Sequence, residues 1–178
     1  MRKALYILGQ LTDSDVEWMA SHGRRQRLND GDVIVREGVP LEALFITLSG
    51  ELRVTLEDGT EVARLGAGEV VGEIAFVDSS PPSATVTASG AAYVLALTRP
   101  TLQQRLASDP AFAARFYHAL AIFLADRLRA TTRRLGYGRR GDLESSAMLE
   151  DELDESVLGT VSQAGERFTR LLQALSAG

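Results

Sequence analysis

The feature that most limits the possible fold is a stretch of alternating apolar and polar residues, punctuated by glycines, from residue 24 to residue 98. Successive side chains of a β-strand point to opposite faces, so this alternation predicts several short, half-buried strands. Asp58-Gly59 lies between two such segments and predicts a β-hairpin whose two turn residues both adopt positive φ. Further strands are predicted at 84–89 and 91–98. Many short strands with regularly spaced turn signals are typical of a barrel or jelly roll.

Helical patterns flank this region on both sides. Thr12, with an acidic residue three positions later, predicts the start of a helix that ends at Gly23. Pro110 predicts the first position of a second helix that runs to Leu135. That helix is apolar nearly all round, so we expect it to be buried on more than one face. One face would close the strands, and the other would need a second subunit or the C-terminal tail.

These patterns predict an α+β, mainly β protein: an antiparallel, jelly-roll-like β-roll with an N-terminal helix, a long C-terminal helix and a helical tail. We expect a domain over residues 11–135, a linker over 136–147 and an acidic helical extension over 148–178. Gly159 and Gly165 weaken the helical pattern of the extension, which leaves open whether it forms one helix or two.

Charge is distributed unevenly along the second half of the chain. Residues 105–140 carry eight arginines against two aspartates, whereas residues 142–178 carry eight acidic residues against two arginines. We therefore expect the tail to pair with the long helix, within or between chains. A net charge of −5 argues against broad nucleic-acid binding. The acidic tail does not resemble a DNA-recognition helix, which needs basic residues, so we expect no DNA binding.

The sequence lacks the residue patterns of common catalytic and metal sites. Cysteine is absent, and the two histidines, His22 and His118, are not spaced as a ligand pair. Neither a nucleophile–base arrangement nor a phosphate-binding glycine motif is present. We therefore assign no catalytic residue and expect no metal and no enzymatic activity. Because no apolar run approaches the length of a membrane span and no signal peptide is evident, we expect a cytoplasmic protein without membrane contact.

Several segments together carry a resemblance to a known family, and they occur in the order and spacing of that family: Gly31-Asp32-Val33-Ile34 with Gly38, Phe45–Leu52, Leu65–Phe76 and Pro81–Val86. Over residues 11–130 the chain resembles the cyclic nucleotide-binding domains, a family that includes the bacterial catabolite activator and the regulatory subunits of protein kinase A. The resemblance implies a β-roll whose residues 72–85, here called the cassette, hold a cyclic phosphate.

The resemblance implies a set of ligand-binding residues within the cassette: Gly72, Glu73, Ile74, Ala75, Pro82, Ser83, Ala84 and Thr85. In the family, the glutamate that matches Glu73 accepts a hydrogen bond from the ribose 2′-hydroxyl, and the residue that matches Ser83 offers a hydroxyl to the phosphate. Independently of the family, Gly72 would let the backbone approach a ligand closely, and the N-terminus of a short helix starting at Glu73 would attract an anion. Gly72 and Glu73 could equally serve a turn and a helix end, and Ser83 and Thr85 could simply belong to a strand.

One residue departs from the family pattern. The family arginine that pairs with the cyclic phosphate is replaced by Pro82, which carries neither a charge nor a backbone N–H. The loss of one charged hydrogen bond should weaken phosphate binding by about tenfold to a hundredfold. Three alternatives follow: another arginine enters the pocket, the ligand is different, or the pocket is empty. The candidate arginines are Arg53, Arg64 and Arg127.

Two functions follow from these observations. The first is a non-enzymatic sensor that binds cAMP, cGMP or a related anionic ligand and signals to a protein partner when the helix that starts at Pro110 moves. The second is an interaction or assembly module with a degenerate pocket that binds no nucleotide. In either case the long helix predicts a homodimer, because two apolar faces need two partners.

Overall fold

The structure, a computed structural model, describes residues 8–137 and 155–176. The helices and strands follow in this chain order: α1 (Asp13–His22), β1 (Arg24–Leu28), β2 (Val33–Val35), β3 (Ala43–Thr55), β4 (Glu61–Leu65), β5 (Val70–Val71), α2 (Glu73–Asp78), β6 (Thr85–Thr98), α3 (Arg99–Ser108), α4 (Pro110–Tyr137) and α5 (Glu155–Ser176).

Within the described residues, six strands form one antiparallel sheet in the order β1-β6-β3-β4, with β2 paired to β6 and β5 paired to β3. The sheet and its flanking helices confirm the predicted β-roll. The strands predicted at 84–89 and 91–98 are a single strand, β6, which continues through Gly90. Gly90 has a φ of +79°, and β3 shifts register beside it between Ser49 and Glu51. The long partner strand therefore keeps β6 continuous where the sequence suggested a break.

The predicted hairpin joins β3 to β4, but its turn differs from the prediction. The Leu56 N–H donates to the Thr60 carbonyl at 3.0 Å, which leaves three residues in the loop. Gly59 has a φ of +83°, whereas Ser79 is the only non-glycine with positive φ in the described chain, so Asp58 is not in that region. A three-residue loop needs just one left-handed position, and glycine fills it.

The N-terminal helix α1 begins and ends as predicted. Thr12 Oγ1 accepts a hydrogen bond from the Asp15 N–H at 3.2 Å, and Asp15 Oδ2 accepts one from the Thr12 N–H at 2.8 Å, which together form a capping box. The Gly23 N–H donates to the Met19 carbonyl and closes the last turn. Asp15 is 1% exposed and also accepts two hydrogen bonds from Arg115 of α4, at 2.8 and 2.9 Å, so it fixes α1 to the long helix.

The long helix α4 confirms the second helical prediction, and Asp109 caps it by accepting from the Phe112 N–H at 2.9 Å. The sequence did not predict α3, which precedes α4. Thr98 caps α3, Pro100 lies in its first turn, and Leu102 is its one fully buried residue. A helix of ten residues with so little apolar surface has no clear apolar stripe, so periodicity did not reveal it.

Two apolar cores occupy opposite sides of the sheet. The inner core fills the β-roll and consists of side chains from the strands, such as Leu52, Val54 and Val94. The outer core lies between the sheet and the helices and is built on Phe112, Phe116 and many smaller apolar residues. The N-terminal half of α4 therefore lies against the β-roll, as predicted for one of its faces.

The described part of the tail forms one helix, α5, in spite of its two glycines. Ala164 and Leu171 of α5 are buried in the outer core, and α5 packs mainly on α1. Arg167 donates to Asp13 at 2.8 Å, and Arg170 also pairs with Asp13. The acidic residues 142–154 lie outside the described residues, so their pairing with the arginines of α4 remains a prediction.

Candidate ligand pocket

A pocket of about 250 Å³ opens between α2, the segment after it and the inner face of the β-roll. Its floor is aliphatic and comes from five strands: Val35, Val54, Leu65, Val70, Val71 and Val86. Ligand pockets of about 300–1,000 Å³ with apolar walls and a few polar groups are typical of small-molecule sites. This pocket lies just below that range and has the same character.

Seven of the eight residues predicted to bind a ligand line this pocket together. Gly72, Glu73, Ile74 and Ala75 come from the start of α2, and Pro82, Ser83 and Ala84 come from the segment that leads into β6. Thr85 is the exception, because its hydroxyl accepts a hydrogen bond from the Glu37 N–H at 3.1 Å and it is not among the lining residues. The strand reading of Thr85 therefore fits the structure better than the binding reading.

Gly72 is required by local packing. Its φ is +91°, a region that residues with a side chain rarely adopt. A Cβ added there would overlap Leu41 Cδ2 and would lie 3.2 Å from the Ala43 carbonyl oxygen. The nearest atoms that exclude a side chain thus belong to the protein itself, so the glycine is needed whether or not a ligand approaches the backbone.

The first two residues of α2 differ in exposure to solvent. Glu73 is 1% exposed, whereas Ile74 is 47% exposed at the pocket. Because α2 has six residues, fewer than two turns, its peptide dipoles are too few to form an anion site by themselves. The expectation that the helix N-terminus attracts an anion therefore receives little support.

Arg99, the first residue of α3, contacts two residues of α2. Its guanidinium donates to the Ala75 carbonyl and lies 5.3 Å from the centre of the Phe76 ring. The Arg99 N–H donates to the Glu42 carbonyl at 2.8 Å. Movement of α2 would therefore pull directly on the start of α3, and α3 leads into α4 at Asp109.

Main-chain contacts position the Pro82 segment. The Gly38 N–H donates to the Pro82 carbonyl at 2.8 Å, and this bond does not depend on the side chain at position 82. Pro82 is half-buried and Ser83 is exposed at the pocket. The loop thus keeps its place in the pocket although it lacks the family arginine.

The ionisable residues of the described lining are both acidic, Glu73 and Asp78, and the part of the lining that the structure describes includes no cationic side chain. Asp78 Oδ1 accepts from the Ser80 N–H at 2.9 Å, which positions both residues at the rim. The sequence analysis did not select Asp78 or Ser80; they follow α2 in the chain and lie between the two matched segments.

The structure separates the three candidate arginines. Arg64 donates to Glu61 at 2.7 Å and to Glu51 at 2.8 Å, and the hydrogen bond with Glu61, followed by that with Glu51, raises its pKa. Arg53 is exposed and lies opposite Arg64 in the strand register. Neither lines the pocket. Arg127 lies on α4, and its side chain is outside the described part of the structure.

A β-roll with a pocket between a short helix and the next strand, and with helices attached at both ends, defines a regulatory domain of the sensor type. Residues 25–109 match the family described as "Cyclic nucleotide-binding domain". The domain formed by these residues belongs to that family.

Two curated relatives share only part of their length with this chain. A protein named as a potassium channel from Rhodopseudomonas palustris is 29% identical over 109 residues, which are 60% of this chain and 26% of that protein. Glutaminase 1 from Bradyrhizobium diazoefficiens is 37% identical over 98 residues, which are 55% of this chain and 16% of the glutaminase. Because the chain spans about a quarter or less of these relatives, their names do not assign a channel or glutaminase activity to it.

Solved structures share the fold over more of the chain. A cyclic nucleotide-binding domain from Methylobacillus flagellatus has a TM-score of 0.69 and 26% identity, and the match covers 80% of this chain and 85% of that one. The regulatory domain of Toxoplasma gondii protein kinase A, crystallised with cAMP, has a TM-score of 0.51 and 30% identity over 56% of this chain and 39% of that one. Both similarities support the β-roll fold described above.

The described residues offer neither a metal site nor a membrane-spanning helix. Residues 8–137 and 155–176 contain no cluster of three or more acidic or histidine side chains arranged to hold a metal ion. In the same ranges, no helix has the length and hydropathy to cross a membrane.

Proposed function

We propose that this protein is a non-enzymatic sensor that binds a cyclic nucleotide, cAMP or cGMP, or a related anionic ligand in the cassette pocket and signals to a protein partner in the cytoplasm. The observation that carries the proposal is the pocket itself, in which the two cassette segments face each other across an aliphatic floor. Such a floor suits a flat, apolar base, and the Glu73 carboxylate can accept hydrogen bonds from a ribose. The cAMP-bound domain of the Toxoplasma kinase supports the ligand class.

The contacts of Arg99 supply a route for the signal. A ligand against Gly72 and Ala75 would shift α2. The Ala75 carbonyl accepts a hydrogen bond from the Arg99 guanidinium at the start of α3, so the shift would reach α3. The Asp109 cap joins α3 to α4, and Arg115 of α4 holds the buried Asp15 of α1. A ligand biases such a system only by binding one arrangement of the helices more tightly than the other.

A second function is favoured by the residue at position 82. Pro82 brings no positive charge to the pocket, which would suit an assembly module that binds no nucleotide. Tyr117 and Leu128 of α4 are 49% and 68% exposed and offer apolar surface to a second copy or to a protein partner. In this alternative the homodimer through residues 110–135 would be the functional unit.

Calorimetric titration with cAMP and with cGMP tests the first function. We expect micromolar binding by the wild-type chain and a loss of about tenfold or more in the Glu73→Gln variant, because the amide is a weaker hydrogen-bond acceptor than the carboxylate. The control is Glu57→Gln, an exposed residue of the hairpin with the same change in charge. Thermal midpoints show that each variant is folded.

The outcomes separate the two functions. No heat at millimolar nucleotide, from wild type and from a Pro82→Arg variant alike, would reject the sensor. Sedimentation would then decide for the assembly module if the chain is a dimer that Leu128→Glu dissociates. A monomer that binds no nucleotide would contradict both.

A further inference from the structure

The first turn of α1 is bonded to two other helices through two carboxylates. Asp15 accepts from Arg115 of α4 at 2.8 and 2.9 Å. Asp13 accepts from Arg167 of α5 at 2.8 Å and also pairs with Arg170 of the same helix. Because the two carboxylates lie two residues apart, one short piece of chain connects the long helix α4 to the tail helix α5.

The Asp15 carboxylate ties the start of α1 to the position of α4. Asp15 is 1% exposed, and its Oδ2 accepts both the Thr12 N–H and Arg115 Nε, each at 2.8 Å. A buried carboxylate that loses its counter-charge is strongly disfavoured, so Asp15 has to follow a shift of Arg115. The same oxygen belongs to the capping box, and the shift would therefore disturb the first turn of α1.

The tail helix depends on that same turn. Besides its bond with Asp13, Arg167 donates through Nη1 to the carbonyls of Leu8 and Gly9, at 3.2 and 3.0 Å. All three acceptors lie within residues 8–13, at and directly before the start of α1. A change in the course of this segment would therefore weaken the three bonds of Arg167 together.

The apolar contact of α5 is small in comparison. Among the described side chains at 163–175, Ala164 and Leu171 are buried, and the others are half-buried or exposed. The inner core of the β-roll contains no side chain from the described part of α5. The tail can therefore leave α1 without opening the aliphatic floor of the pocket.

From these contacts we propose that α5 is a latch: docked on α1 it restrains α4, and the movement of α4 on ligand binding releases it. The inference rests on the proposed sensor function and names its output element. Once released, α5 presents the apolar face that carries Ala164, Phe168 and Leu171 to the protein partner. Coupling between two sites is reciprocal, so a ligand that releases the tail must bind more tightly when the tail is already released.

Hydrogen exchange tests whether the ligand releases the tail. We expect saturating cAMP to speed amide exchange in α5 by about fivefold or more, the lower end of usual coupling between sites. The double variant Asp15→Asn/Arg115→Met cuts the connection and leaves no unpaired charge buried, so it should remove this response. Arg64→Met is the control, because Arg64 is paired on the hairpin, away from the helices, and the response should persist.

Titration with cAMP tests the reciprocal effect. Leu171→Asp places a carboxylate in the buried face of α5 and should release the helix, which fast exchange of α5 would verify. We expect the Kd for cAMP to fall by about fivefold or more in this variant. Gln173→Asp adds the same charge at an exposed position of the same helix and should change the Kd by less than about twofold. Thermal midpoints report whether the β-roll of each variant is intact.

The outcomes distinguish the latch from the sensor. If wild type binds cAMP but α5 exchanges at the same rate or more slowly with ligand, the sensor stands and the latch is refuted. An unchanged Kd in Leu171→Asp with a released tail would refute it as well. If the double variant responds as wild type does, the connection does not run through Asp15 and Arg115. If neither wild type nor Pro82→Arg binds nucleotide, the sensor function fails and the latch fails with it.

Discussion

Gly72 allows a close test of how packing holds the cassette. Substitution by alanine has two costs. The φ of +91° disfavours a residue with a Cβ by about 1–2 kcal/mol, and the new methyl group overlaps Leu41 Cδ2 and approaches the Ala43 carbonyl at 3.2 Å. Relief of such an overlap by side-chain movement typically costs about 1–3 kcal/mol. We therefore expect Gly72→Ala to lower the free energy of unfolding by about 2–5 kcal/mol.

Gly59→Ala provides the matched control. Gly59 has a similar φ of +83°, but a Cβ added there has no atom within 4 Å. It bears the first cost without the second, and the entropy that alanine removes from the unfolded chain is the same for both. The two variants should differ by about 1–3 kcal/mol in urea denaturation, followed by the fluorescence of Trp18, the single tryptophan. A Leu41→Ala substitution should recover most of this difference in a double-mutant cycle. Equal losses in Gly72→Ala and Gly59→Ala, or a cycle without coupling, would refute the packing argument.

Three further predictions concern the charged contacts of the helices. Burial tends to raise the pKa of Asp15, but hydrogen bonds from Arg115 and Thr12 outweigh it and lower the pKa. The contribution of the Asp15 carboxylate to the stability of the fold is therefore complete above the ordinary carboxyl pKa, and it is lost as pH falls through the lowered pKa. Asp15→Asn should therefore cost about 1–3 kcal/mol at pH 7 and flatten the acid limb of a stability–pH curve, and an unchanged limb would contradict this. Asp13→Asn removes the negative charge with which both tail arginines pair, so amide hydrogens of α5 should exchange faster than in wild type, and the acceleration caused by salt should disappear. Arg99→Ala should speed the exchange of amide hydrogens in α2 but not in β4. Equal protection of α2 in wild type and in Arg99→Ala would show that Arg99 does not hold α2.

Features fixed by local chemistry could be read from the sequence. The capping box at Thr12, the cap at Asp109 and the hairpin at Gly59 involve residues at most four positions apart, and the structure contains all three. Features set by distant partners could not. The strand β6 is continuous because β3 runs beside it, and α3 buries one residue, Leu102, in the outer core. Tertiary contacts decide such cases, and a local pattern does not contain them.

The tail also shows that a local sequence pattern predicts a buried face but not the residues that it contacts. Its apolar stripe was visible in the sequence, and the part in α5 packs as a stripe should. Its partner was expected from net charge, yet the described ion pairs run from the tail arginines to Asp13 of α1. Regional charge averages over many residues, whereas an ion pair depends on two particular side chains. The sequence thus indicated the buried face of the tail but not the contact of its two arginines with α1.

In the cassette, the main-chain hydrogen bonds that hold the fold are distinct from the side chains that would select a ligand. Three main-chain carbonyls fix the course of the cassette by accepting hydrogen bonds. The Gly72 carbonyl accepts from the Phe76 N–H, the Ala75 carbonyl accepts from the Arg99 guanidinium, and the Pro82 carbonyl accepts from the Gly38 N–H. None of these bonds involves the side chain at position 82. An arginine can therefore be lost there without collapse of the pocket, and the resemblance in backbone pattern survives a change that alters the charge of the site. For the same reason, the fold alone does not determine the ligand: it is the source of positive charge near Glu73 that decides whether this pocket accepts a phosphate.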